Sequence, residues 1–246
     1  MTVVPKSSAD CLRETFVSRI LGQLSSNMPV LILLSGGSAA PVGAAICRDL
    51  EHSLSGDEPA YPVPAECMVT LVDERFGPAG HPDSNWNFFT LKDLPWKQLI
   101  PVPVLTATDN NPDLFQETVR KFDGFLSWAV TRHTQGRLFI AAVFGIGEDG
   151  HTAGILPDSP ASLLSTSSPL YATGYHHAPY SRITMTPSFF PSIDLAMVWA
   201  SGTNKRKPLE SLLTDSSYER MPAQLLKLPR ETIMYTDQEV NAHEKT

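Results

Sequence analysis

Six short apolar runs recur along this chain of 246 residues, and longer segments separate them. We predict a β-strand at each run, at residues 30–34, 68–72, 138–143, 183–185, 195–200 and 232–235. Nearly continuous apolar strands are typical of a parallel sheet that is covered on both faces. This pattern excludes most other fold classes before any single residue is considered.

The segments between the runs have helical character, and helices are predicted at residues 9–24, 41–50, 114–133, 205–213 and 223–226. Strands that alternate with helices predict an α/β fold of three layers, a mostly parallel sheet with helices on both faces. Two loop-like stretches, 53–64 and 157–169, lack the long compositional shift of an interdomain linker. We therefore predict a single domain over residues 1–246.

The loop after the first of these strands, Ser35-Gly36-Gly37-Ser38, precedes a helix that begins near Pro41. Free backbone amides and the positive end of a helix converge there, which is how many proteins cradle a phosphate. The loop has neither the Walker pattern nor Gly-x-Gly-x-x-Gly. A plain tight turn between strand and helix remains the alternative.

A second loop begins with Asp73-Glu74-Arg75 and continues through His81 to Asn85. The guanidinium of Arg75 is suited to a phosphate or a carboxylate. Asp73 and Glu74 can serve in acid/base chemistry, but an acid paired with a neighbouring arginine is also a common structural arrangement. For His81, which precedes a proline, we predict a hydrogen-bonding role at the surface.

A third loop, within residues 144–153, carries Asp149 and His151 on a glycine-rich turn. Open α/β sheets bind their ligands at the carboxyl ends of strands, and glycines let the backbone approach a ligand closely. Ordinary strand-to-helix connections can contain such residues too. A neutral imidazole is well matched to removing a proton from water, so His151 is the candidate base and Asp149 has an orienting or a structural role.

Arg182 and Lys205 lie at further boundaries between elements, where either one alone is compatible with a simple solvated charge. The formal net charge of −7 argues against a nucleic-acid partner or an anionic membrane surface. The chain is acidic overall, yet it contains these two cations together with Arg75 and a glycine loop. This combination favours a local pocket for an anion.

Three widely spaced cysteines without a CxxC pair fit reduced thiols and a cytoplasmic location. The first residues do not resemble a signal peptide, and no apolar stretch approaches the ~18 residues that a membrane helix needs. The histidines have no metal-binding spacing. We predict no metal or cofactor, a small-molecule partner, and neither nucleic acid nor membrane as partner, with the oligomeric state open.

Five segments together resemble the 6-phosphogluconolactonases in order and spacing, from about Pro29 to Asp237: 35–38, 73–85, 145–153, 182–186 and 202–205. The superfamily also contains the glucosamine-6-phosphate deaminases. The resemblance implies that His151 and Asp149 are catalytic and that a sugar phosphate is bound by Gly36, Gly37, Ser38, Asp73, Arg75, Asn85, Arg182 and Lys205.

Two positions favour the lactonase branch. Deaminases have a catalytic glutamate five residues after the histidine, where this chain has Leu156, and they tend to have tyrosine in place of Arg75. The chain departs from the lactonase pattern in a phosphate loop that is one residue longer, Gly-Gly-Ser-Ala-Ala-Pro, and in Gly77. These departures concern substrate fit rather than the reaction, since Asp149 and His151 remain.

The resemblance therefore implies hydrolysis of 6-phospho-D-glucono-1,5-lactone to 6-phosphogluconate, in the oxidative pentose phosphate pathway, with water activated by His151. The reaction needs donors for an oxyanion, which the sequence does not identify. Two alternatives stay open. One is deamination of glucosamine 6-phosphate, with Asp73 moving a proton between carbons, and the other is a sugar-phosphate-binding protein without catalysis.

Overall fold

A computed structural model describes residues 1–55, 65–90, 94–109 and 111–239. Most of the loop predicted at 53–64 lies outside these residues. The described strands are β1 (Thr2–Val4), β2 (Val30–Leu34), β3 (Cys67–Leu71), β4 (Asp73–Arg75), β5 (Leu99–Pro101), β6 (Phe139–Gly145), β7 (Ala172–His177), β8 (Tyr180–Met185), β9 (Leu195–Ala200) and β10 (Glu231–Thr236). The α-helices are α1 (Ala9–Ser25), α2 (Ala40–Leu54), α3 (Leu114–Thr134) and α4 (Arg206–Leu213).

Seven of these strands form one sheet in the order β1-β10-β9-β6-β2-β3-β5, and the described pairings within it are all parallel. Because parallel crossovers are right-handed, α1 and α2 cover one face of the sheet and α3 and α4 cover the other. The contact between α1 and α2 agrees with this arrangement. The predicted three-layer α/β fold is confirmed, whereas the domain boundaries 1–246 stay a prediction.

Helix α1 illustrates how the local sequence forms these layers. The hydroxyl of Ser8 caps it by accepting a hydrogen bond from the amide of Cys11 at 3.3 Å. Its buried residues recur every four positions and face the sheet: Leu12, Phe16, Ile20 and Leu24. In α3, Phe122 and Leu126 are likewise buried.

A second, antiparallel sheet has the order β4-β8-β7. The strand predicted at 183–185 lies in this small sheet, so its assignment to the parallel sheet was wrong. Strands β1, β4, β5 and β7 were not predicted. The first three have only three residues each, and β7 contains a glycine and two histidines instead of an apolar run. The small sheet adjoins the main one, since the amide of Met185 donates to the carbonyl of Val72 at 3.1 Å.

Two predicted helices differ in type from the observed elements. The segment expected to be helical at 223–226 is a 3₁₀ helix, Pro222–Lys227, and the helix predicted from 205 starts as a 3₁₀ turn, Thr203–Lys205, before α4. Short helical segments often take the tighter 3₁₀ geometry. Within the described residues, no helix has both the length and the apolar character needed to cross a membrane.

All three cysteines are free. Cys47 and Cys67 are buried, and burial raises the pKa of both thiols, that of Cys67 to about 12. Cys11 is exposed at the start of α1, where hydrogen bonding to Ser8 lowers its pKa. Free thiols at all three positions agree with the reduced cysteines that the sequence predicts.

Candidate active site

A cleft of about 270 Å³ opens where β2, β4 and β6 end. Carboxyl ends of parallel strands are the usual ligand edge of such a sheet. Apart from Asp149, every predicted site residue lines this cleft: Gly36, Gly37, Ser38, Asp73, Arg75, Asn85, His151, Arg182 and Lys205. Residues from five separate segments therefore meet at one place.

The predicted phosphate loop follows β2 and turns through a 3₁₀ segment, Gly37–Ala39, into α2, whose first turn contains Pro41. Gly37 has a φ of +59°, a conformation that favours glycine. Gly36 has a different constraint, because a Cβ there would lie 2.0 Å from Oδ1 of Asn85. Gly37 is thus needed for the conformation of the backbone, and Gly36 is needed so that the loop carrying Asn85 can approach closely.

Glu74 is fully buried and organises the loop beneath the cleft. Its carboxylate accepts hydrogen bonds from the amides of Arg75 and Asn85, both at 2.7 Å, from the hydroxyl of Ser84 at 2.8 Å and from the amide of Trp86 at 3.1 Å. Burial raises the pKa of Glu74, and these hydrogen bonds oppose that rise. Of the two roles left open for it, the structure favours the structural one, with backbone amides rather than an arginine as partners.

Asp73 is buried at the floor of the cleft, where the amide group of Asn85 donates to its backbone carbonyl at 3.0 Å. Burial raises the pKa of Asp73, while the positive charges of Arg75 and Arg182, and that of His151 when its ring is protonated, oppose the rise. The carboxylate packs against Gly154, where a Cβ would lie 2.5 Å from Oδ2 of Asp73. Asp73 thus lies between the arginines and the histidine loop.

Arg75 and Arg182 are direct partners across the antiparallel strands β4 and β8. Nη1 of Arg75 donates to the carbonyl of Asp83 at 2.9 Å, while the Nε atoms of both arginines are buried without a hydrogen-bond partner among the described residues. The third cation, Lys205, lies at the end of the 3₁₀ turn before α4. In the described part of the chain, none of the three forms a salt bridge, which leaves their charge available to an anion.

His151 and Asp149 form a close pair on the turn after β6. Nδ1 of His151 lies 2.5 Å from Oδ1 of Asp149, which also accepts a hydrogen bond from the His151 amide at 3.1 Å. Burial favours a higher pKa for Asp149, but the hydrogen bonds of His151, and its charge when the ring is protonated, outweigh burial and lower the pKa below its usual value. A Cβ on Gly147 would lie 2.1 Å from Nδ1 of His151, so this glycine makes room for the pair.

The turn after His151 is fixed to the small sheet. Ala153 and Gly154 both have positive φ values, +50° and +66°. The hydroxyl of Thr184 donates to the carbonyl of Ala153, and the hydroxyl of Tyr175 donates to that of Gly154 at 2.6 Å. Strand β8, which carries Arg182, and its neighbour β7 are therefore hydrogen-bonded directly to the segment that follows His151.

His81 has the hydrogen-bonding role that the sequence predicts, since its Nε2 lies 2.8 Å from the carbonyl oxygen of Arg75. Over residues 1–55, 65–90, 94–109 and 111–239, no group of three or more His, Cys, Asp or Glu side chains could hold a metal ion.

Sequence reasoning missed several groups at the cleft. Ser35, Ile146, Ala153 and Gly154 line it within or beside the segments already identified, and only the fold determines which of their atoms face the opening. Tyr180 lies outside those segments, and its ring lies beside both arginines. Its one sequence signal is a position two residues before Arg182, which places both on the same face of a strand.

Comparison with known proteins identifies relatives over most of the chain. A family model described as "Glucosamine-6-phosphate isomerases/6-phosphogluconolactonase" matches residues 5–235. A 6-phosphogluconolactonase of Helicobacter pylori is 31% identical over 157 residues, which cover 64% of this chain and 65% of that protein. The 6-phosphogluconolactonase of Homo sapiens is 26% identical over 197 residues, covering 79% of this chain and 72% of that protein.

The fold also has counterparts among solved structures. The 6-phosphogluconolactonase from Trypanosoma brucei superposes with a TM-score of 0.71 at 20% identity, covering 95% of this chain and 94% of that one. At such low identity, the likeness concerns the fold.

Proposed function

This chain belongs to the glucosamine-6-phosphate isomerase/6-phosphogluconolactonase family, and we propose that it hydrolyses 6-phospho-D-glucono-1,5-lactone to 6-phosphogluconate in the oxidative pentose phosphate pathway. The observation that carries the proposal is the imidazole–carboxylate pair of His151 and Asp149 beside a cleft that gathers three cations. Hydrolysis of a phosphorylated lactone needs both a base for water and an anchor for a phosphate.

The base follows from the protonation states of the pair. Asp149, with its lowered pKa, is ionised near neutral pH and can only accept a hydrogen bond. The hydrogen of a neutral His151 imidazole is then on Nδ1, and Nε2 keeps the lone pair that can remove a proton from water. This arrangement gives His151 the role of general base and gives Asp149 an orienting role.

The reaction proceeds by attack of that water on the lactone carbonyl carbon, which forms a tetrahedral oxyanion. Collapse breaks the bond between this carbon and the ring oxygen. The proton held by His151 passes to the departing oxygen, so that a free hydroxyl and a carboxylic acid result, and the acid ionises in solution. Each turnover therefore returns the imidazole to its neutral form.

The phosphate anchor consists of Arg75, Arg182, Lys205 and the amides of the loop around Gly37. Charge-assisted hydrogen bonds from guanidinium groups are among the stronger polar contacts in proteins, and helix-start amides add to them. Binding energy from the remote phosphate then aligns the ester carbon with the water. Leu156, which is buried and apolar, cannot supply the proton relay of the deaminases, and this favours the lactonase reaction.

Offering freshly made 6-phosphogluconolactone and, separately, glucosamine 6-phosphate to the purified protein tests the proposal. We expect acid release from the lactone well above the spontaneous rate, and no ammonia from the amino sugar. Ammonia release would instead support the deaminase alternative. Tight binding of 6-phosphogluconate without turnover of either substrate would support a binding protein.

Replacing Asp149 with asparagine is expected to lower kcat by at least about tenfold with little change in KM, because an amide can also donate to Nδ1 and stabilise the wrong tautomer. Steady-state kinetics on the lactone measure both constants. Since the pKa of Asp149 lies below its usual value, its carboxylate is present throughout the neutral range and is lost only as the pH falls through that lowered pKa. The wild-type profile near neutrality should therefore contain no step from Asp149.

Glu148→Gln provides the matched control. This neighbouring carboxylate accepts a hydrogen bond from the side chain of Asn204 at 2.6 Å and does not line the cleft. Its removal should leave kcat unchanged. Equal losses in the Asp149→Asn and Glu148→Gln variants would contradict a specific orienting role for Asp149.

A further inference from the structure

The arginine pair of the cleft poses an electrostatic problem. Arg75 and Arg182 lie directly opposite each other on β4 and β8, and like charges in such a pair repel. In the part of the chain that the structure describes, neither guanidinium forms a salt bridge, and both Nε atoms are buried without a hydrogen-bond partner. The buried carboxylate of Asp73 attracts both arginines through its charge but forms no salt bridge with either in the described residues. A further group in direct contact with both guanidinium groups would therefore help to hold them together before an anion arrives.

The ring of Tyr180 meets this need. The Cζ atom of Arg75 lies 5.2 Å from the ring centroid, and that of Arg182 lies 5.6 Å from it. Both distances fall within the ~6 Å range over which a cation is attracted to an aromatic face. Tyr180 precedes Arg182 by two residues on β8, so the two side chains emerge on the same face of the small sheet.

The loop at Asp83 connects the same groups. The hydroxyl of Tyr180 lies 3.4 Å from Oδ1 of Asp83, and the backbone carbonyl of Asp83 accepts the hydrogen bond from Nη1 of Arg75. The hydroxyl contact is long and weak, whereas both guanidinium groups lie beside the ring. The aromatic ring, rather than the hydroxyl, is the part of Tyr180 that both arginines share.

We propose that Tyr180 is a positioning residue, whose ring holds Arg75 and Arg182 side by side against their mutual repulsion and so prepares the cleft for a phosphate dianion. The inference rests on the proposed function for the identity of that anion. The residue acts through the arginines, so its removal weakens binding of the phosphate and leaves proton transfer at His151 intact.

Tyr180→Leu removes the ring, and Tyr180→Phe keeps it. For the leucine variant, we expect KM for the lactone and the Kd for 6-phosphogluconate, measured by calorimetry, to rise about tenfold. Its kcat should stay within about twofold of wild type. The phenylalanine variant should retain both constants within about threefold, because a phenyl ring also attracts cations.

Tyr171→Leu is the matched control, since this half-buried tyrosine packs edge-on against Phe189, 6.2 Å away, and its ring forms no cation–π contact within the described residues. Its KM and Kd should equal those of wild type. Thermal unfolding reports whether each variant is folded. If Tyr180→Leu does not fold, Tyr180→Gln, which also lacks a ring, replaces it in the same measurements.

A folded ringless variant with the KM and Kd of wild type would overturn the inference, as would a phenylalanine variant as weak as the leucine one. The binding measurement separates this result from the proposed function. If wild type binds 6-phosphogluconate but hydrolyses no lactone, the proposed function fails and the Kd values still decide the role of Tyr180. If wild type binds no sugar phosphate, both are wrong.

Discussion

Replacing His151 with alanine is expected to lower kcat for 6-phosphogluconolactone about 10²- to 10⁴-fold, the usual contribution of a general base. The imidazole is held by Asp149 at 2.5 Å, and its side chain is 41% exposed, so that Nε2 can reach water in the cleft. The proposed phosphate anchor lies on other elements. The Kd for 6-phosphogluconate should therefore change little, and stopped-flow or pH-stat assays after subtraction of the spontaneous reaction give the rate.

His52→Ala serves as the control, because this histidine is exposed on α2 and does not line the cleft. It should turn over like wild type. A His151→Ala variant that retains the wild-type rate would remove His151 from the role of base. A variant that loses rate and binding together would indicate a collapsed cleft instead of a missing base.

Replacing Arg182 with alanine is expected to raise KM about 10- to 100-fold, since hydrogen bonds to charged groups contribute roughly 1.5–3 kcal/mol. Its guanidinium lines the cleft without a salt bridge in the described residues, so its charge is available to the phosphate. The effect on kcat should be smaller, because the base and the turn that carries it remain. Steady-state kinetics and calorimetry with 6-phosphogluconate measure the two effects separately.

Arg132→Ala is the matched control for this variant. Its guanidinium also lies beside an aromatic ring, 5.5 Å from the centroid of Trp128, but it does not line the cleft. We expect unchanged kinetics. An unchanged KM in Arg182→Ala would exclude that arginine from the anchor, and partial recovery in Arg182→Lys would indicate that charge matters apart from the planar geometry of the guanidinium.

The sequence predicts the layers of the fold because buried parallel strands leave long apolar runs, such as Leu195–Ala200 in β9. It does not predict β4, whose three residues, Asp73–Arg75, are all charged and, within the described part of the chain, pair with one neighbouring strand, β8. The strand at 183–185 was found but assigned to the wrong sheet. The apolar residues of this strand are compatible with either sheet. Its sheet and its pairing direction depend on partner strands that are distant in the sequence.

The candidate site, like the fold, could be predicted from the sequence only in part. Segments with recognisable motifs could be named from sequence, and they meet at one cleft. The role of Glu74 could not be predicted from the sequence. Its carboxylate accepts hydrogen bonds from residues 84–86, and only the fold of the loop brings these residues close to Glu74. Tyr180 was missed because the local sequence places it on the same face as Arg182 but does not indicate that its ring also contacts Arg75 on another strand.

The unequal surroundings of the three thiols have a practical consequence. Reagents that attack thiolates reach Cys11 readily, while Cys47 and Cys67 are both inaccessible and held protonated by burial. A maleimide dye therefore has one attachment point on the native protein. That point is outside the cleft lining, so a fluorophore can be introduced for ligand titrations without first removing any native cysteine.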